Sequence, residues 1–194
     1  MLLEAVAEAA RNGVDYIQLR EKDLPGRELE QLAREGMQRI RACGANTRFL
    51  INSRIDLALA VGTDGVHLRS KDISPQDVRR IWREAGQPSD PVIAISCHTE
   101  ADVIAAEKSG ADFAVFGPVF GKQGMPAQQA SLDQFRSVCK HAIPVLALGG
   151  VTLANASSCV EAGAKGVAGI RLFQENEIEA VVKELTARGC NREA

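Results

Sequence analysis

Short apolar runs alternate with longer stretches of helical periodicity along the whole chain. The apolar runs predict strands near residues 15–20, 48–51, 65–68, 92–95, 112–116, 144–148 and 166–170. The periodic stretches predict helices at Leu2–Arg11 and near 27–42, 54–60, 75–85, 99–109, 131–140, 152–162 and 175–188. Strands that alternate with helices indicate a parallel sheet in a single α/β layer system.

A weak internal repeat narrows the fold class. Four glycines each close a predicted helix and open a strand, at spacings of about 50 residues; they are Gly13, Gly62, Gly110 and Gly163. Each spacing holds two strand–helix units, as expected for quarter-turns of a (β/α)8 barrel of the TIM type. Glycine also caps helices before strands in other folds, so the near-constant spacing is what favours the barrel.

The same repeat places one barrel strand outside the chain. In the later quarters a strand begins about 15 residues before the glycine, and counting back from Gly13 puts the equivalent strand at or before Met1. We therefore expect a single barrel domain over residues 1–194 that lacks its first strand and has seven strands and eight helices. A misplaced start codon, a trimmed chain or a partner covering the two open edges would each account for the gap.

Composition excludes several classes of protein. With 194 residues, 45% of them hydrophobic and 25% charged, the chain can bury a substantial core. A net charge of −2 and the absence of a basic arm argue against nucleic-acid binding. No apolar stretch has the length of a membrane span, and Leu2–Arg11 is amphipathic, unlike a secretory signal. The five cysteines form no Cys-x-x-Cys pair, which favours packing roles and a cytoplasmic location.

Polar residues gather at the predicted carboxyl ends of the strands, where barrels of this type carry their active sites. Cations and hydrogen-bond donors dominate, which suits a phosphate-bearing substrate. Asp72 is the one well-placed carboxylate, with Glu21 a less certain second, and Asp72 could hold Mg²⁺ against phosphate oxygens. The set comprises Gln18, Arg20, Lys22, Asn52, Ser53, His67, Arg69, Asp72, Ser96, His98, 117–120, Lys122, Gly149, Gly150, Ile170 and Arg171.

Alternation along the first predicted strand puts Gln18 and Arg20 on one face. Their offsets from Gly13 match those of His67 and Arg69 from Gly62, so we expect these four side chains to point into the barrel together. If both faces of the sheet are covered, an inward arginine is costly unless it binds something. A strand with one solvent face, or an internal pair of Arg20 with Glu21, is the alternative.

The glycine pair and the histidines each allow a structural explanation as well. Gly149–Gly150 lies between an apolar strand and a predicted helix, where backbone N–H groups can approach a phosphate, although a plain tight turn needs the same residues. His67 is either a site residue or a satisfied core histidine. His98 could simply open a helix, and His141 lies at a helix end, where its charge suits the dipole.

Six segments together carry a resemblance to a known family. They are Gln18-Leu19-Arg20-Glu21-Lys22, Ile51-Asn52-Ser53-Arg54, Gly65-Val66-His67-Leu68 with Asp72, Ser96 before His98-Thr99, Gly117-Pro118-Val119-Phe120, and Ala147-Leu148-Gly149-Gly150-Val151. In these segments the chain resembles thiamine phosphate synthase, also called thiamine-phosphate pyrophosphorylase, and its close relative thiazole tautomerase. The resemblance covers essentially the whole chain.

The resemblance implies a magnesium-assisted transferase of thiamine biosynthesis. Hydroxymethylpyrimidine diphosphate would lose diphosphate, and the nitrogen of hydroxyethylthiazole phosphate would capture the pyrimidine methyl cation to give thiamine phosphate. The implied catalytic residues are Arg20, Lys22 and Ser96, and the implied Mg²⁺ ligand is Asp72. The implied substrate-binding residues are Gln18, Asn52, His67, Lys122, Gly149, Gly150, Ile170 and Arg171. The partners would be phosphorylated heterocycles and, in a homo-oligomer, further copies of the chain.

This sequence departs from the family pattern at four places. Ser53 stands where a second magnesium-binding Asp is usual, Arg69 where Gly is common, and Arg171 where Ser is common. Residues 121–125 replace a Pro-Thr-x-Thr-Lys run that grips diphosphate. Lys122 and the two additional arginines could restore the lost positive charge.

The departures keep other functions open. A thiazole tautomerase-like isomerase is one, although its catalytic histidine belongs where Pro118 stands. A noncatalytic binder of thiazole phosphate or thiamine phosphate is another, and it would need only Gly149–Gly150. A generic sugar-phosphate barrel enzyme would not need Gln18, Arg20 and Lys22 together with His67 and Asp72.

Overall fold

The computed structural model describes residues 2–121 and 132–189, and these contain seven strands that alternate with nine helices. The strands are β1 (Tyr16–Leu19), β2 (Arg48–Asn52), β3 (Gly65–Leu68), β4 (Val92–Cys97), β5 (Phe113–Phe116), β6 (Val145–Leu148) and β7 (Gly166–Ala168). The helices are α1 (Leu2–Arg11), α2 (Gly26–Ala42), α3 (Ile55–Val61), α4 (Pro75–Glu84), α5 (Glu100–Lys108), α6 (Leu132–Val138), α7 (Ala156–Glu161), α8 (Arg171–Gln174) and α9 (Ile178–Ala187).

All seven predicted strands are present, and helix α1 precedes β1, as expected for a barrel that lacks its first strand. Three details differ from the prediction. Strand β7 ends at Ala168, helix α7 begins only at Ala156, and α8 is a ninth helix within the described ranges. A helix of four residues completes only about one turn, so it leaves no periodic signal in the sequence.

Met1–Ile93 form one compact unit. Its strands β1, β2 and β3 are parallel neighbours in chain order, with Gln18 opposite Leu50 and Asn52 opposite His67. Phe49, Leu50 and Ile51 are at most 2% exposed, because helices cover β2 on one face and the other face is buried as well. The register therefore brings the carboxyl ends of three neighbouring strands together.

Ala94–Ala194 form the second compact unit. It contains the rest of β4 and strands β5, β6 and β7, again parallel and in chain order. The side chain of Phe135 on α6 is fully buried, and its ring lies 5.8 Å from that of Phe116. The prediction of a single domain over residues 1–194 stays a prediction.

The N-termini of two helices match their sequence signals. Ser74 caps α4, its side chain accepting a hydrogen bond from the backbone N–H of Asp77, and Pro75 occupies the first turn. Thr99 and Asp102 form a capping box at the start of α5. These caps fix where the loops after β3 and β4 end.

Four cysteines in the described ranges are free thiols, and Cys97 and Cys159 are fully buried, in keeping with packing roles. Among the helices described, none is both long enough and apolar enough to cross a membrane.

Candidate functional site

At the strand ends of the first unit, polar side chains form a continuous chain of hydrogen bonds. Gln18 Nε2 donates to Asn52 Oδ1 at 2.9 Å, and Asn52 Nδ2 donates to Ser53 Oγ at 3.3 Å. Ser53 Oγ donates in turn to Asp72 Oδ2 at 2.6 Å. Arg69 pairs with Asp72 and completes the group. The name Asp72 network is used below for these five residues, Gln18, Asn52, Ser53, Arg69 and Asp72. It links residues from the ends of β1 and β2 to the loop after β3.

Ser53 turns the chain sharply at the end of β2. Its φ of 58° lies in the left-handed region, which non-glycine residues seldom adopt. Its backbone N–H donates to the carbonyl oxygen of His67 at 3.0 Å, so the turn is tied to β3. This conformation aims the Ser53 hydroxyl at Asp72.

Asp72 is held on both carboxylate oxygens. Oδ2 accepts from Ser53 Oγ and from the backbone N–H of Arg69 at 2.8 Å. Oδ1 accepts from Arg69 Nε at 3.1 Å and lies 2.9 Å from Arg69 Nη2. Burial alone would raise the pKa of Asp72, but the hydrogen bonds from Ser53 and Arg69 outweigh burial and hold the pKa below its ordinary value. Asp72 is therefore an ionised carboxylate at neutral pH.

His67 is the buried member of the group, only 8% exposed. Burial, together with the nearby charge of Arg20, lowers its pKa from 6.5 to about 4. His67 is therefore neutral at pH 7 and can exchange hydrogen bonds there without contributing charge.

Gln18 and Arg20 are exposed, as are Lys22 and Glu21. The condition that both faces of β1 are covered is not met, because this face is open and even Tyr16 is 41% exposed. The alternative of a strand with one solvent face applies, and burial places no cost on Arg20. Of the four side chains expected together, Gln18 contacts Asn52, the charge of Arg20 reaches His67, and Arg69 pairs with Asp72.

In the second unit the corresponding region is built from backbone. The loop after β5 bonds to the loop after β6, with Val119 N–H donating to the Leu148 carbonyl at 2.9 Å and Phe120 N–H donating to the Gly149 carbonyl at 3.0 Å. Gly149 and Gly150 both have positive φ, 90° and 67°. A Cβ on Gly150 would lie 2.6 Å from the Phe120 carbonyl oxygen. Close packing of the two loops therefore requires glycine, beyond the demands of a tight turn.

Asn155 ties the glycine pair to the start of helix α7. Its Oδ1 accepts from the Thr152 N–H at 2.8 Å, and its Nδ2 donates to the Gly150 carbonyl at 3.0 Å. This bonding holds residues 152–155 outside the helix, which explains why α7 begins at Ala156.

His98 is a residue whose contact the sequence did not reveal. Its Nδ1 lies 2.6 Å from the Gly117 carbonyl oxygen, so Nδ1 carries the proton in this contact. Its backbone N–H donates to Asp102 in the first turn of α5, which matches the expected helix-opening role. His98 follows Ser96 by two positions, and this alternation was the available signal for a side chain on the same face.

The remaining predicted residues lie at separate strand ends. Ser96 on β4 is half-buried and opposite Val115 on β5. Ile170 is 61% exposed and directly precedes α8, whose first residue is the exposed Arg171. Lys122, with the rest of 122–125, lies outside the described residues.

A metal ion at this site would be coordinated by Asp72. In the part of the chain that the structure describes, no group of three or more His, Cys, Asp and Glu side chains is placed to hold a metal. Mg²⁺, however, commonly uses one or two carboxylates together with substrate phosphates and water. Asp72 fits that pattern through Oδ1, whose hydrogen bonds come from the exposed Arg69 side chain.

Comparisons with known proteins bear on the fold and the family of the chain. A family model described as thiamine monophosphate synthase matches residues 1–173. A solved thiamine phosphate pyrophosphorylase from Pyrococcus furiosus superimposes with a TM-score of 0.81 at 28% identity, covering 96% of this chain and 88% of the other. A 3-hexulose-6-phosphate synthase structure gives a TM-score of 0.65 at 19% identity, covering 96% and 94% of the two chains, which shows a shared fold alone. The chain thus has the α/β fold of the TIM-barrel class.

Relatives found by sequence similarity are also thiamine-phosphate synthases by name. A putative thiamine-phosphate synthase of Geobacter sulfurreducens is 43% identical over 170 residues, covering 86% of this chain and 76% of that protein. A thiamine-phosphate synthase of Caldanaerobacter subterraneus subsp. tengcongensis is 34% identical over 187 residues, covering 95% and 84%. The chain belongs to the thiamine monophosphate synthase family. It is an enzyme of the thiamine-phosphate synthase type, and the isomerase and noncatalytic alternatives find no support in these relatives.

Proposed function

We propose that the protein joins hydroxymethylpyrimidine diphosphate to hydroxyethylthiazole phosphate, giving thiamine phosphate and diphosphate. The bond between the pyrimidine methylene carbon and the diphosphate oxygen breaks, and its electron pair leaves with diphosphate. The lone pair of the thiazole nitrogen then forms the new carbon–nitrogen bond. The observation that carries the proposal is the Asp72 network at the ends of β1 and β2, with the exposed cations Arg20 and Lys22 on the same chain segment as Gln18.

Residues of the first unit would bind and stabilise the leaving diphosphate. Arg20 offers several N–H donors in one plane and Lys22 a mobile point charge, and both are exposed and available to an anion. Gln18 and Asn52 hold each other at 2.9 Å, so both amides are oriented before substrate arrives. Stabilisation of the departing anion is electrostatic work, for which fixed donors cost little reorganisation.

Magnesium is the proposed cofactor, and Asp72 Oδ1 is its proposed protein ligand. The ion would offset the negative charge of the diphosphate. The Ser53 hydroxyl and the Arg69 backbone N–H hold the other oxygen, Oδ2, and so keep the carboxylate in one orientation.

The pyrimidine is assigned to Ser96, with His67 as a neutral hydrogen-bonding group. Ser96 lies on β4 and is half-buried. His67 is neutral because its pKa is about 4. A neutral imidazole does not repel the pyrimidine cation that forms when diphosphate leaves.

The thiazole phosphate is assigned to Gly149, Gly150, Ile170 and Arg171. Neither glycine carries a side chain, so a phosphate can approach the backbone of both residues closely. Arg171 adds charge at the start of α8. Lys122 belongs to the proposed set too, as a further cation from the loop after β5. A cytoplasmic location and a homo-oligomer stay predictions.

The deciding experiment is direct. The protein is incubated with both substrates and Mg²⁺, and any thiamine phosphate is oxidised to fluorescent thiochrome. We expect product with the native chain and a weakened magnesium dependence with Asp72→Asn. Asp133→Asn is the matched control, since that carboxylate is exposed on α6 and pairs only with a surface arginine among the described residues. Absence of product under conditions where an authentic synthase works would overturn the proposal, and tight binding of thiamine phosphate by calorimetry would then favour the noncatalytic binder.

A further inference from the structure

We propose that Arg69 competes with a divalent cation for Asp72, so that the cation binds only when the Arg69 side chain turns away. The inference rests on the proposed function in taking Asp72 as the metal ligand. It goes further in making Arg69 the residue that sets how tightly this chain holds a metal ion.

Both oxygens of the Asp72 carboxylate are engaged, and the contacts of Oδ1 come from the Arg69 side chain. A carboxylate offers about four lone-pair positions. Ser53 Oγ and the backbone N–H of Arg69 take two of them on Oδ2, at 2.6 and 2.8 Å. On Oδ1, Arg69 Nε donates a hydrogen bond at 3.1 Å and Arg69 Nη2 lies 2.9 Å away as an ion-pair partner. A cation can therefore reach Oδ1 only by displacing the guanidinium.

The Arg69 side chain can leave the Asp72 carboxylate more easily than Ser53 and the Arg69 backbone can. The Arg69 side chain is 69% exposed, whereas that of Asp72 is 13% exposed. An exposed guanidinium can rotate into water at little cost, because its pairing energy is small and its lost hydrogen bonds are replaced by solvent. Ser53 and the Arg69 backbone stay in place when it does. Rotation of Arg69 therefore frees Oδ1 while Asp72 keeps its orientation.

Ser53 explains why the competition matters here. Its hydroxyl group donates a hydrogen bond to Asp72. A carboxylate at position 53 would instead add a second negative charge. With a single carboxylate, one guanidinium suffices to neutralise the site. With two, a divalent cation would outcompete a single guanidinium because of its greater charge.

The test uses Mn²⁺ as the probe, titrated into the substrate-free protein and followed by electron paramagnetic resonance. We expect Arg69→Gln to bind Mn²⁺ about fivefold more tightly than the native chain, since the ion pair of Arg69 with Asp72 no longer has to be broken. Arg69→Gln combined with Asp72→Asn should lose that gain. Arg80→Gln is the matched control, because Arg80 pairs with Asp77 three residues away and is 56% exposed; its Mn²⁺ affinity should equal that of the native chain.

Equal Mn²⁺ affinity of the native chain and a folded Arg69→Gln variant would overturn the inference, and so would a gain that persists without Asp72. Arg69→Gly provides a second variant if the glutamine variant does not fold, and the same two outcomes apply to it. The titration contains no substrate. Failure of the thiochrome assay would therefore leave this result standing, and failure here would leave synthase activity to be judged separately.

Discussion

The strand ends of the two units are held by different kinds of hydrogen bond, mainly between side chains in one unit and mainly between backbone groups in the other. In Met1–Ile93 the candidate site is made of side chains, and the Asp72 network joins them through distances of 2.6 to 3.3 Å. In Ala94–Ala194 the glycine pair is held mainly by backbone, because the loops after β5 and β6 are bonded to each other around two glycines of positive φ.

The difference has a consequence for how each region tolerates change. A side-chain network can be altered one residue at a time, and Ser53 and Arg69 are such alterations relative to the family pattern. A backbone region offers no such freedom, because any Cβ at Gly149 or Gly150 would overlap the neighbouring loop. The Asp72 network can therefore change in charge, whereas the loops around Gly149 and Gly150 are fixed in shape.

The largest effect should come from adding one methyl group to the second unit. Gly150→Ala combines a φ of 67° with a Cβ at 2.6 Å from the Phe120 carbonyl oxygen, and we expect the free energy of unfolding to fall by about 3 kcal/mol. Gly13→Ala is the control, since φ there is 80° but nothing lies within 4 Å; strain alone should cost about 1–2 kcal/mol. Urea unfolding measures both. Equal losses would mean that close packing of the loops adds nothing.

In the first unit the largest effect should fall on activity. Arg20→Ala removes an exposed multi-donor cation, and we expect kcat/KM for the diphosphate substrate to fall by about 100-fold with the melting temperature almost unchanged. Arg136→Ala, which removes an exposed arginine from α6, should change neither quantity. A collapse of thermal stability in Arg20→Ala would assign this residue to the fold and erase the contrast between the units.

Buried His67 gives the first unit a pH dependence. The native state takes up a proton at His67 only near pH 4, while the unfolded chain takes it up near pH 6.5. Because the unfolded state then binds more protons, the contribution of neutral His67 is complete above pH 6.5. It is lost as the pH falls toward 4, at about 1.4 kcal/mol per pH unit. His67→Gln should remove this part of the slope in urea unfolding measured from pH 7 to 5, and an unchanged slope would contradict the assignment.

The smallest expected effect tests His98, which follows β4 and contacts the Gly117 carbonyl. His98→Ala removes the donor to the Gly117 carbonyl at 2.6 Å, and we expect a loss of about 1 kcal/mol in unfolding free energy. His141→Ala is the control, because its contact is with the exposed Glu100 and should be worth under about 0.5 kcal/mol. Similar losses from both variants would show that the backbone region does not depend on His98.

The periodic parts of the fold could be predicted from the sequence, since buried strands and amphipathic helices leave repeating patterns. Short or locally bonded segments left no such pattern, as at α8 and at residues 152–155 before α7. The candidate site was predictable as a set of strand ends. The bond between Ser53 and Asp72 was not, because it joins residues 19 positions apart through a turn with positive φ. The sequence left open whether the face of β1 that carries Arg20 is covered or exposed, because alternation assigns a residue to a face without showing what packs there.

Asn155 offers a way to recognise this backbone arrangement in other chains. One side chain acts as acceptor for Thr152 and as donor to Gly150, which few other residue types can do at that size. A glycine pair followed at a fixed interval by asparagine is thus a searchable signature. Sequences that keep the glycines but lose the asparagine would be the natural place to look for relatives whose loop after β6 has been put to another use.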